Sequence, residues 1–115
     1  MNEYMILGFI IIVAFIAYKK YTQYQVLKLV PSLLEQGGQI IDVRTKEEFV
    51  QANKKGSINI PVEVLQDNLK KINKNKPIIL CCASGSRSAL AKRTLISKGF
   101  ENVYNAGTWG SLIKF

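Results

Sequence analysis

Two adjacent cysteines, Cys81 and Cys82, close an apolar run and open a loop of small residues that ends on an arginine: Ile78-Ile79-Leu80-Cys81-Cys82-Ala83-Ser84-Gly85-Ser86-Arg87-Ser88. The chemistry open to such a segment is that of a thiolate nucleophile. The run ahead of the cysteines is short, rich in β-branched residues and set off by Pro77, which predicts a buried strand. Ser86 to Ser97 reads as a helix stopped by Gly99. A thiol between a strand end and a helix N-terminus faces backbone N–H groups and the positive end of the helix dipole. Both favour the ionised sulfur, and the thiolate is the nucleophile.

The 115 residues contain no histidine. That excludes Ser-His-Asp and Cys-His mechanisms, histidine acid–base catalysis and histidine metal sites. A cysteine nucleophile in this chain must therefore be activated by fixed dipoles and by Arg or Lys. Two vicinal cysteines lack the spaced pairs of a zinc site, and a bridge between them would close almost no loop. No glycine-rich phosphate loop is present, since Gly85 stands outside any G-x-G-x-x-G spacing. Neither a metal nor a cofactor is expected. The plain alternative is that the cysteines are small buried apolar residues; it fits Cys81 better than Cys82.

The elements that must position this loop alternate, short strand with helix, from about Val26 onward, which predicts an α/β fold with a parallel sheet. Pro31 to Gln36 reads as a short helix ended by Gly37-Gly38. Gln39 to Val43 is a strand, and Thr45 with Glu48 forms a capping box for the helix that follows. Ser57 to Ile60 is a short strand, Pro61 opens a helix running to about Ile72, and Lys70 to Lys76 is a polar connection. After the cysteine strand and the Ser86–Ser97 helix come a last strand, Asn102 to Asn105, and a helix or coil from Thr108 to Phe115. In the strand Pro77 to Cys81, Cys81 is the last residue, so Cys82 begins the loop.

Ahead of these elements, Tyr4 to Tyr18 carries no charge and is followed at once by Lys19-Lys20. Fifteen helical residues span about 22 Å, short of the ~30 Å hydrocarbon core, and flanking tyrosines and snorkelling lysines make up the difference. A signal peptide fits less well, because Glu3 and no basic residue precede the apolar run and no small-x-small cleavage site follows. The organisation expected is a membrane anchor over 1–20, a linker over 21–29 and a domain over 30–115. Lys19, Lys20 and Lys28 follow the span, so the positive-inside rule puts that domain in the cytoplasm, at the cell inner (plasma) membrane. The net charge of +8 is scattered without the basic stripe and interleaved aromatics of a nucleic-acid site. Anionic lipid or small anionic substrates are the partners it suits.

Asp42-Val43-Arg44 with Glu47-Glu48-Phe49, Gly56-Ser57-Ile58-Asn59-Ile60-Pro61, Cys82 to Ser88 and Asn102 to Gly107 follow one another in an order and spacing that resembles the rhodanese homology domain. The resemblance covers about residues 30 to 115 and is closest in form to small membrane-anchored single-domain rhodaneses. It implies a parallel sheet flanked by helices and a six-residue active loop, Cys82 to Arg87, whose first residue is the catalytic cysteine. It further implies that Cys82 takes a sulfane sulfur from thiosulfate or another persulfide, a protein persulfide included, and passes it to a nucleophilic acceptor. Ala83, Ser84, Gly85 and Ser86 are small enough for the backbone to curl around the sulfur, and backbone N–H groups can cradle a thiolate or persulfide. Arg87 is placed to hold the loop's shape or meet an anionic donor. Ser88 completes the motif, and Asp42 and Arg44 are expected to brace the fold. The chain departs from the family in carrying Asn53 where a His is common and Ala83 where a basic residue is common. The second departure predicts weaker use of thiosulfate. Trp109 is expected to be a packed core aromatic.

The adjacent cysteines leave a second register open. Cys81 to Arg87 is a Cys-x5-Arg loop of the cysteine-phosphatase kind, one residue longer and sized for phosphate. Against it stand the strand alignment and the lack of a nearby acid for the leaving group. A third reading is a non-catalytic module that docks a partner at the membrane.

Overall fold

A computed structural model describes residues 2–115. Four parallel strands, β1 (Gln39–Asp42), β2 (Ile58–Asn59), β3 (Ile78–Cys82) and β4 (Val103–Thr108), form one sheet in the order β2-β1-β3-β4. Parallel neighbours need crossover connections rather than tight turns. Helix α2 (Lys46–Gln51) lies in the β1–β2 connection and α3 (Ser86–Ser97) in that between β3 and β4. The cysteine strand lies inside the sheet, with β1 on one side and β4 on the other, and all five of its residues are buried. A strand buried on both faces has to be apolar at every position, which is why Ile78 to Cys82 shows no alternation of polar residues.

The two faces of the sheet carry separate cores. Ile78, Leu80 and Cys82 pack with Ile41, Val43, Ala91 and Leu95 on the α3 face. Ile79 and Cys81 pack with Ile40, Ala106 and Leu112 on the other, together with Val30 and Leu33 of α1 (Glu3–Glu35). Helix α1 thus has two halves with different surroundings. Its first half, including the uncharged stretch 4–18, is exposed except at Gly8 and Lys19, which are half-buried, whereas Val26, Leu27, Val30, Leu33 and Leu34 cover the sheet. It is one helix long and apolar enough to cross a membrane.

The separate short helix expected from Pro31 does not exist: Pro31 lies inside the 33-residue α1, which runs unbroken through residues 21–29. The proline removes one backbone hydrogen bond, while apolar side chains on either side of it dock on the sheet and hold the helix together. The expected stop at Gly37-Gly38 is observed, with Gly37 at φ +85° and Gly38 N–H donating to Leu33 O at 2.8 Å. The helix expected from Pro61 to Ile72 is instead two 3-10 segments, Val62–Asp67 and Leu69–Lys71, separated at Asn68 (φ −127°). The last strand extends to Thr108 rather than ending at Asn105, because β4 follows β3 across a bulge and pairs Thr108 with Cys82. A short 3-10 segment, Trp109–Leu112, follows it.

Candidate active site

Strand β3 delivers Cys82 to the C-terminal edge of the sheet, and the chain then turns through Ala83, Ser84 and Gly85 into α3. Cys82 is still paired within β3, one residue beyond the strand end expected from sequence. Gly85 stands at φ +101°, a left-handed conformation open to glycine, and occupies the cap position of α3. Its N–H donates to Cys82 Sγ at 2.9 Å. Ser88, on the first turn of α3, places its hydroxyl 3.4 Å from the same sulfur. Ser88 is fully buried, and its Oγ also lies 2.7 Å from Asn105 Oδ1 and 3.0 Å from Gly85 O.

These contacts shift the acidity of the two thiols in opposite directions. For Cys82, burial raises the pKa, but the Ser88 hydroxyl and the backbone N–H groups of Ser88, Ser84 and Gly85 outweigh it, so the pKa falls below that of an ordinary cysteine. Cys81 points to the opposite face, under α1. Burial pushes its thiol up strongly, and the nearby Asp42 carboxylate adds to the rise. Both cysteines are free and fully buried. Among the described residues, the loop donors converge on Cys82 and not on Cys81.

Arg87 lies on the outside of the loop, paired with Glu48. Its Nη1 and Nη2 donate to Glu48 Oε1 and Oε2 at 2.7 and 3.1 Å. Glu48 is the same residue that closes the capping box of α2: Thr45 Oγ1 accepts from Glu48 N–H at 3.2 Å, and Glu48 Oε1 accepts from Thr45 N–H at 3.2 Å. The Arg87 pair and the Thr45 N–H hold the Glu48 carboxyl at about 2. One carboxylate therefore ties the start of α2 to the start of α3, across the mouth of the loop.

Asp42 and Arg44 form a buried ion pair. Arg44 Nε donates to both Asp42 oxygens at 3.0 Å and Nη2 to Oδ2 at 2.8 Å, with both side chains almost wholly buried. The guanidinium also donates to the carbonyls of Glu48 (3.4 Å) and Ala52 (2.7 Å) and lies 4.5 Å from the centroid of the Trp109 ring. Trp109 is partly buried against the α1-face core, as expected, with the added task of stacking on Arg44. Asn53, which stands where the family often has a His, donates its side-chain N–H to Phe49 O at the end of α2 (2.8 Å) and is exposed.

Of the expected loop residues, Ser84, Gly85 and Ser88 direct polar groups at Cys82, whereas Arg87 is paired with Glu48. Ala83, Ser84 and Ser86 form the exposed rim, and Ser84 and Ser86 share a hydroxyl contact of 3.2 Å. For three participants, local pattern in the chain does not reveal the contact they make at the loop. Glu48 is legible as a helix cap but not as the partner of Arg87, 39 residues away. Asn105, from β4, accepts from Gly107 N–H (2.9 Å) and donates to Gly85 O (3.2 Å), linking the last strand to the loop. Gln23, from α1, packs its amide against Gly85 and Gly107. All three act through long-range contacts.

The model of the rhodanese-like domain family matches residues 26–107. The chain belongs to that family. It is 38% identical over 66 residues to YrkF of Bacillus subtilis, covering 57% of this chain and 36% of that protein. It is 35% identical over 69 residues to the thiosulfate sulfurtransferase PspE of Escherichia coli, covering 58% of this chain and 66% of that protein. The chain thus spans between about a third and two-thirds of the length of these curated relatives. Among solved structures, a rhodanese-related protein from Thermoplasma volcanium superposes with a TM-score of 0.65 at 28% identity, over 76% of this chain and 87% of that one.

Proposed function

We propose that this member of the rhodanese-like family is a sulfurtransferase that carries sulfane sulfur as a persulfide on Cys82. The observation that carries the reading is the Gly85 N–H donated to Cys82 Sγ at 2.9 Å, with Ser88 beside it, at the start of a loop closed by Arg87. The Cys82 thiolate attacks the outer sulfur of thiosulfate. A Cys82–S bond forms, the S–S bond of the donor breaks, and its electron pair leaves on sulfite. The resulting persulfide anion is one atom longer and still negative, so the donors that hold the thiolate also suit the persulfide. A nucleophilic acceptor then takes the outer sulfur and returns the thiolate. The name of the E. coli relative, a thiosulfate sulfurtransferase, supports the donor class.

The anchoring of this reaction belongs to the same proposal. Residues 1–20 hold the chain in the membrane, 21–29 continue the helix into the domain over 30–115, and Lys19, Lys20 and Lys28 keep that domain on the cytoplasmic side. Purified protein incubated with thiosulfate and analysed by mass spectrometry should gain one sulfur on the peptide that holds Cys81 and Cys82, and lose it on addition of cyanide. Hydrolysis of an aryl phosphate with no gain of sulfur would move the assignment to the phosphatase register, in which Cys81 would have to be the nucleophile despite its burial under α1.

A further inference from the structure

A cleft of about 330 Å³ lies between α1 and α3, with Lys19, Thr22 and Gln23 on one wall and Lys92 and Arg93 on the other. Positions 18, 19, 22, 23 and 26 of α1 all line it, the spacing of a single helix face. Three cations therefore meet across the cleft, and among the described residues no Asp or Glu lines it. Among the described residues, none of the three is in an ion pair. Like charges gathered without a counter-ion repel one another, and an anion between them would relieve that repulsion.

The cleft stands at the end of the uncharged stretch. Tyr18 closes that stretch, and Lys19 Nζ lies over the Phe15 ring, 5.6 Å from its centroid. From Tyr18 to Gln23 the helix rises about 8 Å. The headgroup layer on each side of a bilayer is of the same depth, roughly 5–8 Å. Helix α1 is unbroken here, and Gln23 is seated against the loop: a Cβ built on Gly85 would lie 2.7 Å from its Nε2, and one on Gly107 2.6 Å from its Cδ. Gly85 is the cap of α3, so this seat fixes α3 beside α1. Lys92 and Arg93 are thereby held at the depth of the headgroups whenever the uncharged stretch is in a membrane.

We propose that this cleft binds the headgroup of an anionic phospholipid, with Lys92 and Arg93 of α3 and Lys19 of α1 taking the phosphate. The inference rests on the membrane-anchor reading of residues 1–20 and goes beyond it, because the domain itself then touches the bilayer through α3. Arginine offers a phosphate a planar fork and lysine a point charge. Basic pockets beside a membrane helix on its cytoplasmic side suit anionic headgroups. A lipid fits better than a free anion of the same charge. Its acyl chains would run along the exposed apolar stretch that begins at the cleft's edge with Phe15.

The test is native mass spectrometry of the full chain released from detergent micelles, with phosphatidylglycerol and phosphatidylcholine of matched acyl chains offered together. One phosphatidylglycerol should be retained in preference to phosphatidylcholine. The double variant Lys92→Gln/Arg93→Gln should weaken that binding by about tenfold or more, the effect expected of two cations at an anionic surface. Glutamine keeps the helix propensity of both positions, so the fold should be kept, which circular dichroism checks. Lys70→Gln/Lys71→Gln removes the same charge outside the cleft and should leave the preference unchanged. Equal loss in both double variants would mean that net charge alone selects the lipid, and would overturn the cleft. Displacement by inorganic phosphate at the concentration of the lipid would assign the cleft to a free anion and overturn the headgroup. Fractionation of cells that express the parent chain reads the anchor by itself. Recovery in the soluble fraction overturns the span and the inference with it, whereas a membrane-bound chain with no preference for phosphatidylglycerol overturns the cleft alone.

Discussion

On the α3 face of the sheet, Cys82 ends a strand beneath a loop whose N–H groups point at its sulfur. On the α1 face, one residue earlier, Cys81 packs among Val30, Leu33 and Ala106, and among the described residues no donor is aimed at it. Residue type, strand and degree of burial are the same for both. The difference is the side of the pleat, because successive strand side chains point to opposite faces. Burial without such donors raises a thiol's pKa, as at Cys81, where the Asp42 carboxylate adds to the rise. Burial with convergent donors lowers it, as at Cys82. Desolvation is therefore not what distinguishes the two thiols; the donors that accompany it are.

The comparison breaks most sharply if the two thiols are exchanged. Cys82→Ser should abolish persulfide formation and sulfur transfer outright, by mass spectrometry and by turnover with cyanide. Cys81→Ser should keep most activity, since its thiol contributes packing only. An active Cys82→Ser with a dead Cys81→Ser would reverse the assignment of the faces.

Next in size is the brace that both faces share. Asp42 pairs with Cys81 in the sheet register and receives four hydrogen bonds from the backbone and side chain of Arg44. Asp42→Ala would leave a buried guanidinium unpaired and should destabilise the domain by about 3–5 kcal/mol. Urea unfolding followed by Trp109 fluorescence measures this, and a loss below 1 kcal/mol would show that the pair does not brace the fold.

Arg87 lies outside both cores, so its replacement should affect function more than stability. Arg87→Ala should lower kcat/KM by about tenfold while leaving the unfolding midpoint nearly unchanged, because the pair with Glu48 is partly exposed. Glu48 is depressed from 4.5 to about 2 in the folded protein. Its clamp on the loop is therefore fully present above the unfolded carboxyl value and is lost as pH falls through about 2. Between pH 8 and 5 the clamp should contribute no pH dependence, which a pH series on Glu48→Gln against the parent would check.

The smallest effect sharpens the account of Cys82 itself. Removing the Ser88 hydroxyl takes away one of the groups that lower the thiol's pKa. In Ser88→Ala the alkylation rate of Cys82 should rise with pH along a curve displaced to higher pH. Turnover should fall a few-fold near neutrality and recover in alkaline buffer. A profile that does not move would mean that the backbone N–H groups alone set the acidity.

Much of this was open to inspection in the chain, and each legible part is local. The Ser86–Ser97 helix, the Thr45–Glu48 capping box, the Gly37-Gly38 stop and the strand before the cysteines each depend on residues within a few positions of one another, where steric and hydrogen-bonding preferences act directly. Ordered motifs around Asp42, Gly56 and Cys82 were enough to point to the family and to the loop, and the uncharged run before Lys19 marked the N-terminal half of α1. What local pattern could not supply was the fate of groups whose partners are distant. The helix signal broken at Pro31 is restored by packing of α1 on the sheet, and the end of β4 is set by its pairing with β3. Glu48 meets Arg87 only when α2 and α3 are brought to the same edge, and Asn105 and Gln23 reach the loop only from β4 and α1. The sequence by itself determined which residues are capable of the chemistry, because thiols, small loop residues and an arginine are intrinsic. Only in the folded chain do two identical thiols come to differ in acidity, because Cys81 is buried beneath the distant Val30 and Leu33 beside Asp42 while Cys82 meets the donors of the loop.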